Sequence, residues 1–171
     1  KDPTWLFEWG KIAVIGRHVS AMLSSISIFL IYLAAKRFFS PAVGLVAAFL
    51  LSFSPWAIQQ AHFATTETML IFFLLLILWL SYKPHKARVY SLLGAVQGLA
   101  LAAKTTSVLF SVIPLAAIWF LNLDKKTLER QFVKKFLLPR LRATLAFLAT
   151  AAGTFLIFSP YTLIDRMHFL E

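Results

Sequence analysis

The chain has no cysteine, so disulfides, thiolate nucleophiles and zinc–thiolate sites are excluded, and redox compartment leaves no mark on it. Acids are scarce, 7 Asp and Glu against 17 Lys and Arg. No two carboxylates stand close enough in sequence to suggest acid–base work within the chain, no cofactor is evident, and nothing supports a metal site. Also missing are a Gly-rich phosphate loop, HExxH, a serine nucleophile elbow and DxD. No signal peptide with a charged start and short apolar core is visible. The chain begins at Lys1, and its Trp-containing polar start runs into Ile12 as though cut from something longer. It reads as a fragment.

What is present in excess is apolar. Of 171 residues, 60% are hydrophobic, against roughly 45–50% in a soluble domain. A soluble domain of this size cannot hide that much apolar surface, so much of it faces lipid. The formal charge of +10 sits in short clusters between long apolar runs. That arrangement points to membrane topology and away from nucleic acid.

Six apolar segments cover Ile12–Ala35, Pro41–Ile58, Met69–Tyr82, Tyr90–Ala103, Val108–Leu121 and Ala143–Phe158. Each reaches the ~20 residues of a span if its polar flanks lie at the interface. The expected fold is all-α, a polytopic transmembrane bundle of about six helices. Ser40-Pro41 predicts a capped helix start and Lys83-Pro84 a stop; Pro55 and Pro114 predict kinks within apolar runs. Gly94 and Gly98 form a GxxxG pair that lets a neighbouring helix approach, with Gln97 beside it suited to an interhelical hydrogen bond. Over residues 124–138, Leu128, Phe132, Val133, Phe136 and Leu137 share one face, with Lys125, Lys126, Arg130, Lys134 and Lys135 mostly off it. This predicts an amphipathic helix on the cytoplasmic membrane surface.

Charge assigns the sides. With Lys36-Arg37 inside and strict alternation thereafter, 12 of the 17 Lys and Arg fall inside and 5 outside. The positive-inside rule favours this orientation. It also gathers the unusual polar residues outside, among them Arg17, His18, His62, Glu67, Lys104, Tyr161 and Asp165. Ionisable groups near membrane depth are costly, so they mark candidate sites unless a plain reason covers them. Arg17 also suits snorkelling, and His18 a structural place at a helix start. Thr65-Thr66 and Glu67 suit a helix N-terminus without any further role. Lys104 follows the apolar run Leu99–Ala103 with no acid nearby in sequence, and Thr105, Thr106 and Ser107 follow it. That grouping suits a phosphate, and snorkelling to the outer interface is its alternative.

Three stretches carry a family resemblance: Ile58-Gln-Gln-Ala-His-Phe-Ala-Thr-Thr-Glu67, Leu93-Gly-Ala-Val-Gln-Gly-Leu-Ala-Leu-Ala-Ala-Lys104 and Ser159-Pro-Tyr-Thr-Leu-Ile-Asp165. With Gly16-Arg17 opening the first helix, the chain resembles the membrane-embedded GT-C glycosyltransferases, in particular the protein O-mannosyltransferase-like branch. The resemblance covers nearly the whole chain, which reads as a partial GT-C transmembrane domain. It implies transfer of a mannose-like sugar from a polyprenyl-phosphate donor to a protein, lipid or glycan acceptor on the extracytoplasmic face of a plasma or inner membrane. It implies donor-binding roles for Arg17, His62, Glu67, Lys104, Tyr161 and Asp165. It also implies that the first helix and most of the first outer loop lie upstream of residue 1, and the main catalytic carboxylate with them. Asp2, Glu8 and Glu67 are the in-chain acids that could stand in for it. Hydropathy alone equally fits a transporter or lipid flippase. Such proteins tend to place polar groups at mid-membrane, where this chain has little beyond Gln97.

Overall fold

A computed structural model describes residues 4–82, 87–120 and 137–161, with side chains described for all but 4–10 and 87. Helix is the only regular structure among the described residues: α1 (Thr4–Phe38), α2 (Pro41–Ser52), α3 (Pro55–Phe63), α4 (Thr66–Ser81), α5 (Ala87–Ala103), a 3-10 helix (Thr105–Ser111), α6 (Val112–Phe120) and α7 (Leu138–Phe158). The all-α expectation holds. The amphipathic helix expected over 124–138 lies outside the described residues, save Leu137 and Leu138 at the start of α7.

Two helices are long and apolar enough to cross a membrane, Lys11–Phe38 within α1 and α7. The broken pair α2 and α3, bent by 56°, makes a third if counted as one span. The other apolar helices, Thr66–Ser81, Arg88–Ala103 and Thr105–Phe120, are shorter. Sixteen residues of helix, as in α4, reach about 24 Å, short of the ~30 Å hydrocarbon core.

The start signal acts as the sequence predicts, and the stop expected at Lys83-Pro84 lies outside the described residues. Ser40 caps α2, its hydroxyl accepting from Val43 N at 3.3 Å, with Pro41 in the first turn. The Pro41–Ile58 segment is broken rather than merely kinked. Pro55 has no N–H to donate, so Leu51 O accepts from Ser54 N instead (3.3 Å). Ser54 then caps α3, accepting from Ala57 N at 3.4 Å. Pro114 lies in the first turn of α6, just past a change from 3-10 to α geometry.

The chain forms two compact units, Lys1–Leu75 and Leu76–Glu171. In the first, α2 turns back along α1. A Cβ added at Gly44 would stand 2.8 Å from Tyr32 O and 3.2 Å from Lys36 N, so the two backbones nearly touch. Lys36 Nζ sits 5.6 Å from the Tyr32 ring centroid, holding one cation of the basic end against an aromatic face.

In the second unit, α5 and α7 pack as the GxxxG pair requires. A Cβ at Gly94 would collide with Thr150 Oγ1 and Phe147 O, and one at Gly98 would stand 2.5 Å from Ala151 O and 2.7 Å from Thr154 Cβ. Moving four residues up α5 moves the contact four residues up α7, so the two run parallel. Leu93, Ala100, Phe147 and Ala151 fill the seam. The 3-10 helix and α6 run back between the ends. Gln97, 1% exposed, donates from Nε2 to Ser107 O at 2.8 Å, the hydrogen bond expected of it. At the other end, buried Arg140 donates from Nε to Ile118 O at 3.1 Å. It satisfies one of the carbonyls left open in the last turn of α6 and lies at the negative end of that helix dipole. Arg140 is therefore a structural cation.

The glycine seam predicts an ordered pair of outcomes. Gly98→Ala pushes a methyl into the α7 backbone and should cost about 1–3 kcal/mol, as overpacked sites do. Gly153→Ala meets nothing within 4 Å and should be neutral or mildly stabilising. Thermal unfolding of the detergent-solubilised variants, followed by size exclusion, checks this. Equal melting temperatures would show that the seam is not tight.

Candidate functional site

The break at Pro55 decides where the site lies. It swings α3 so that Ala57 is buried while Trp56 and Ile58 stay exposed. Farther along α3, Ala61 and His62 reach the side of α1. The approach is close: a Cβ on Gly16 would stand 3.3 Å from Ala64 Cβ. Ala64 ends α3 in the left-handed region at φ 55°, which costs a non-glycine residue about 1–2 kcal/mol. After it, the Thr65 hydroxyl donates back to Gln60 Oε1 at 2.6 Å, tying the turn to α3.

Between α1 and α3 lies an open cleft of about 270 Å³ lined by Arg17, His18, Ala21, Ala61 and His62. Among the described residues its lining carries a guanidinium and two imidazoles and no carboxylate. His18 Nδ1 stands 2.7 Å from Val14 O, one helical turn back. Only a protonated Nδ1 can bond a carbonyl, so this contact leaves Nε2 as the second, reactive nitrogen of the ring. A fixed cation beside two nitrogens able to donate or accept suits an anionic oxygen cluster such as a phosphate.

Of the expected site residues, Arg17 and His62 come together in this cleft. Glu67 sits in the first turn of α4, partly exposed, where a carboxylate favours the helix dipole. Lys104 and Tyr161 belong to the second unit. Lys104 has extended backbone (φ −161°, ψ 127°) between the end of α5 and the 3-10 helix. Because α5 and α7 are parallel, Lys104 and exposed Tyr161 lie at the same end of that unit, opposite Arg88, Arg140 and Arg142. Asp165 lies outside the described residues. Asp2 does too, and the side chain of Glu8 is not described. Sequence reading passed over His18 as a cleft residue. Its adjacency to Arg17 was visible, but the α1–α3 contact that gives it a role was not. Among the described residues no group of three His, Asp or Glu stands together to hold a metal.

The cleft predicts a tautomer. Neutral His18 should be the Nδ1–H form, the minor one for free imidazole. Nitrogen-15 shifts of histidine-labelled protein, assigned with a His18→Gln variant, report it directly. An Nε2–H tautomer would mean the bond to Val14 O is not made.

Residues 6–164 match the protein family described as dolichyl-phosphate-mannose-protein mannosyltransferase. Over 110 residues the chain is 28% identical to a Bacillus subtilis (strain 168) protein named "Putative mannosyltransferase YkcB". That match covers 63% of this chain and 15% of the relative's length. No solved structure matches.

Proposed function

As a member of the dolichyl-phosphate-mannose-protein mannosyltransferase family, this chain, we propose, is the donor-binding part of a multi-pass GT-C-type glycosyltransferase. It uses a polyprenyl-phosphate-linked, mannose-like sugar and works on the extracytoplasmic face of a plasma or inner membrane. The acceptor is a protein, lipid or glycan. The six apolar segments are its spans, the shorter ones reaching across with their polar flanks at the interfaces.

The observation that carries this reading is the position of the Arg17–His18–His62 cleft along α1. From Arg17 to Lys36 is nineteen steps of helix, about 28 Å, close to the ~30 Å of the hydrocarbon core. With Lys36-Arg37 at the cytoplasmic surface, Arg17 comes to the outer one, where a polyprenyl phosphate presents its head. The guanidinium neutralises phosphate charge in a bidentate fork, and His62 donates a hydrogen bond from the α3 side. In the second unit Lys104 and Tyr161 stand at the end opposite Arg88, Arg140 and Arg142, and the positive-inside rule supports an outer position for that end. Donor-binding roles for Glu67, Lys104, Tyr161 and Asp165 rest on the family resemblance. Among the described residues, the lining of the cleft offers no carboxylate to act as general base. The transporter and flippase readings share only hydropathy with the chain, and Gln97, which sequence places at mid-membrane, is used in holding the 3-10 helix.

Two experiments test this. Single cysteines at Phe39 and Thr66, in a chain with none of its own, should separate under an impermeant thiol reagent applied from outside: Thr66 reacts and Phe39 does not. The reverse pattern would put the cleft on the wrong face. In the full-length enzyme, Arg17→Gln should weaken donor binding by about 10- to 150-fold, the scale of a lost charge-assisted hydrogen bond of roughly 1.5–3 kcal/mol. Arg17→Lys should recover part of that. Donor affinity within twofold of wild type for Arg17→Gln would remove the cleft from the reaction.

A further inference from the structure

A much smaller space than the cleft lies at the Pro55 break. Its wall comes from four helices: Ser24 and Ser27 of α1, Leu51 near the end of α2, Ala57 in the first turn of α3, and Thr68 and Ile71 of α4. The room left for the centre of a water molecule is about 10 Å³, enough for one water and too little for a larger ligand. Half of the lining side chains carry a hydroxyl. Thr68 is 2% exposed, and its Oγ1 has no hydrogen-bond partner on the protein. The start of α4 explains why. Ser25, Ser27 and Thr150 each donate to the carbonyl four residues back, at 2.9, 2.7 and 2.7 Å. Thr68 is in the first turn of α4, and four residues back stands Ala64, left-handed (φ 55°, ψ 42°) and outside the helix. No helical carbonyl is presented to its hydroxyl.

We propose that this space is the binding site of one ordered water that links α1, the break and α4. Thr68 Oγ1 donates to the water. The water donates in turn to Ser27 Oγ, whose own proton is committed to Leu23 O. The Ser24 hydroxyl supplies a third partner, within the roughly two to four that a buried water takes. A buried hydroxyl is costly to leave unpaired, and a water that fits is nearly as good a partner as a protein group. Membrane helices tolerate a proline break where Ser and Thr side chains and ordered waters satisfy the polar groups around it. At Pro55 the Ser54 hydroxyl takes Ala57 N, and the water joins the first turn of α4 to the same corner. A cation suits the space poorly. Among the described residues its wall has no carboxylate, and an unpaired charge away from solvent costs far more than a neutral water. Ser24 stands about 10 Å along α1 from Arg17, so the water braces the scaffold beneath the cleft. The inference is independent of the donor reading.

The test uses the full-length protein in nanodiscs, imaged by electron cryomicroscopy at a resolution that shows ordered waters. Density for one water is expected about 2.7–3.0 Å from Thr68 Oγ1 and within hydrogen-bond reach of Ser24 or Ser27 Oγ. A map with waters elsewhere in the interior and none at Thr68 would overturn the proposal. In parallel, Thr68→Val keeps the side-chain shape and removes the hydroxyl. In a hydrated site this strips the water of a partner, and the melting temperature should fall by about 2 °C or more. In a dry site it removes an orphaned hydroxyl at no loss, so a melting temperature equal to or above wild type would overturn the proposal too. Melting of the wild type is then compared in sodium, potassium and choline chloride at one ionic strength. Equal values are expected; stabilisation by one metal cation that Thr68→Val abolishes would assign the space to that ion and overturn the water.

Discussion

A proline that cannot donate a backbone hydrogen bond sets the geometry on which the site depends. In the low-dielectric interior of a membrane, each unsatisfied peptide group costs several kcal/mol, so a helix does not break there without replacement partners. At Pro55 the replacements are at hand: Ser54 N reaches Leu51 O, and the Ser54 hydroxyl receives Ala57 N. The chain can therefore turn by 56° and still satisfy its ends. That turn sends α3 across α1 instead of onward, and brings His62 beside Arg17 and His18. Without it Pro41–Ile58 would be a plain span, and the cations of α1 would have no facing wall.

The second unit follows a different constraint, close approach. Gly94 and Gly98 let α5 lie against α7 with backbone nearly touching backbone, and the parallel register carries Lys104 and Tyr161 to one end. At the opposite end Arg140 is taken inside to finish α6. In the second unit the described cations Arg88, Arg140 and Arg142 thus gather at one end and Lys104 and Tyr161 at the other.

Much of this could be read from the residues. Ser40-Pro41 and Pro55 acted as their backbone chemistry dictates, and the small residues at 94 and 98 announced a tight seam. Gln97 made the hydrogen bond expected of a mid-span amide. What could not be read was tertiary. The left-handed Ala64 breaks the rule that such positions go to glycine, so no local signal marked the turn that docks α3 on α1. The importance of His18 depends on that docking, and the buried role of Arg140 on the return of α6. Charge counting places a residue on a side of the membrane but is blind to whether it is solvated or capping a helix. Helix lengths also departed from the apolar runs, because helices continue through polar flanks that hydropathy leaves out, as α1 does beyond Ile12 toward Thr4.

The central claim is that the phosphate of a lipid-linked sugar donor sits between α1 and α3. Electron cryomicroscopy of the full-length protein in nanodiscs with polyprenyl phosphate measures this most directly. The account predicts phosphate density within hydrogen-bond reach, about 3 Å, of the Arg17 guanidinium and of an imidazole of His18 or His62. Phosphate density elsewhere in a well-ordered complex, with the cleft open to solvent, would contradict it.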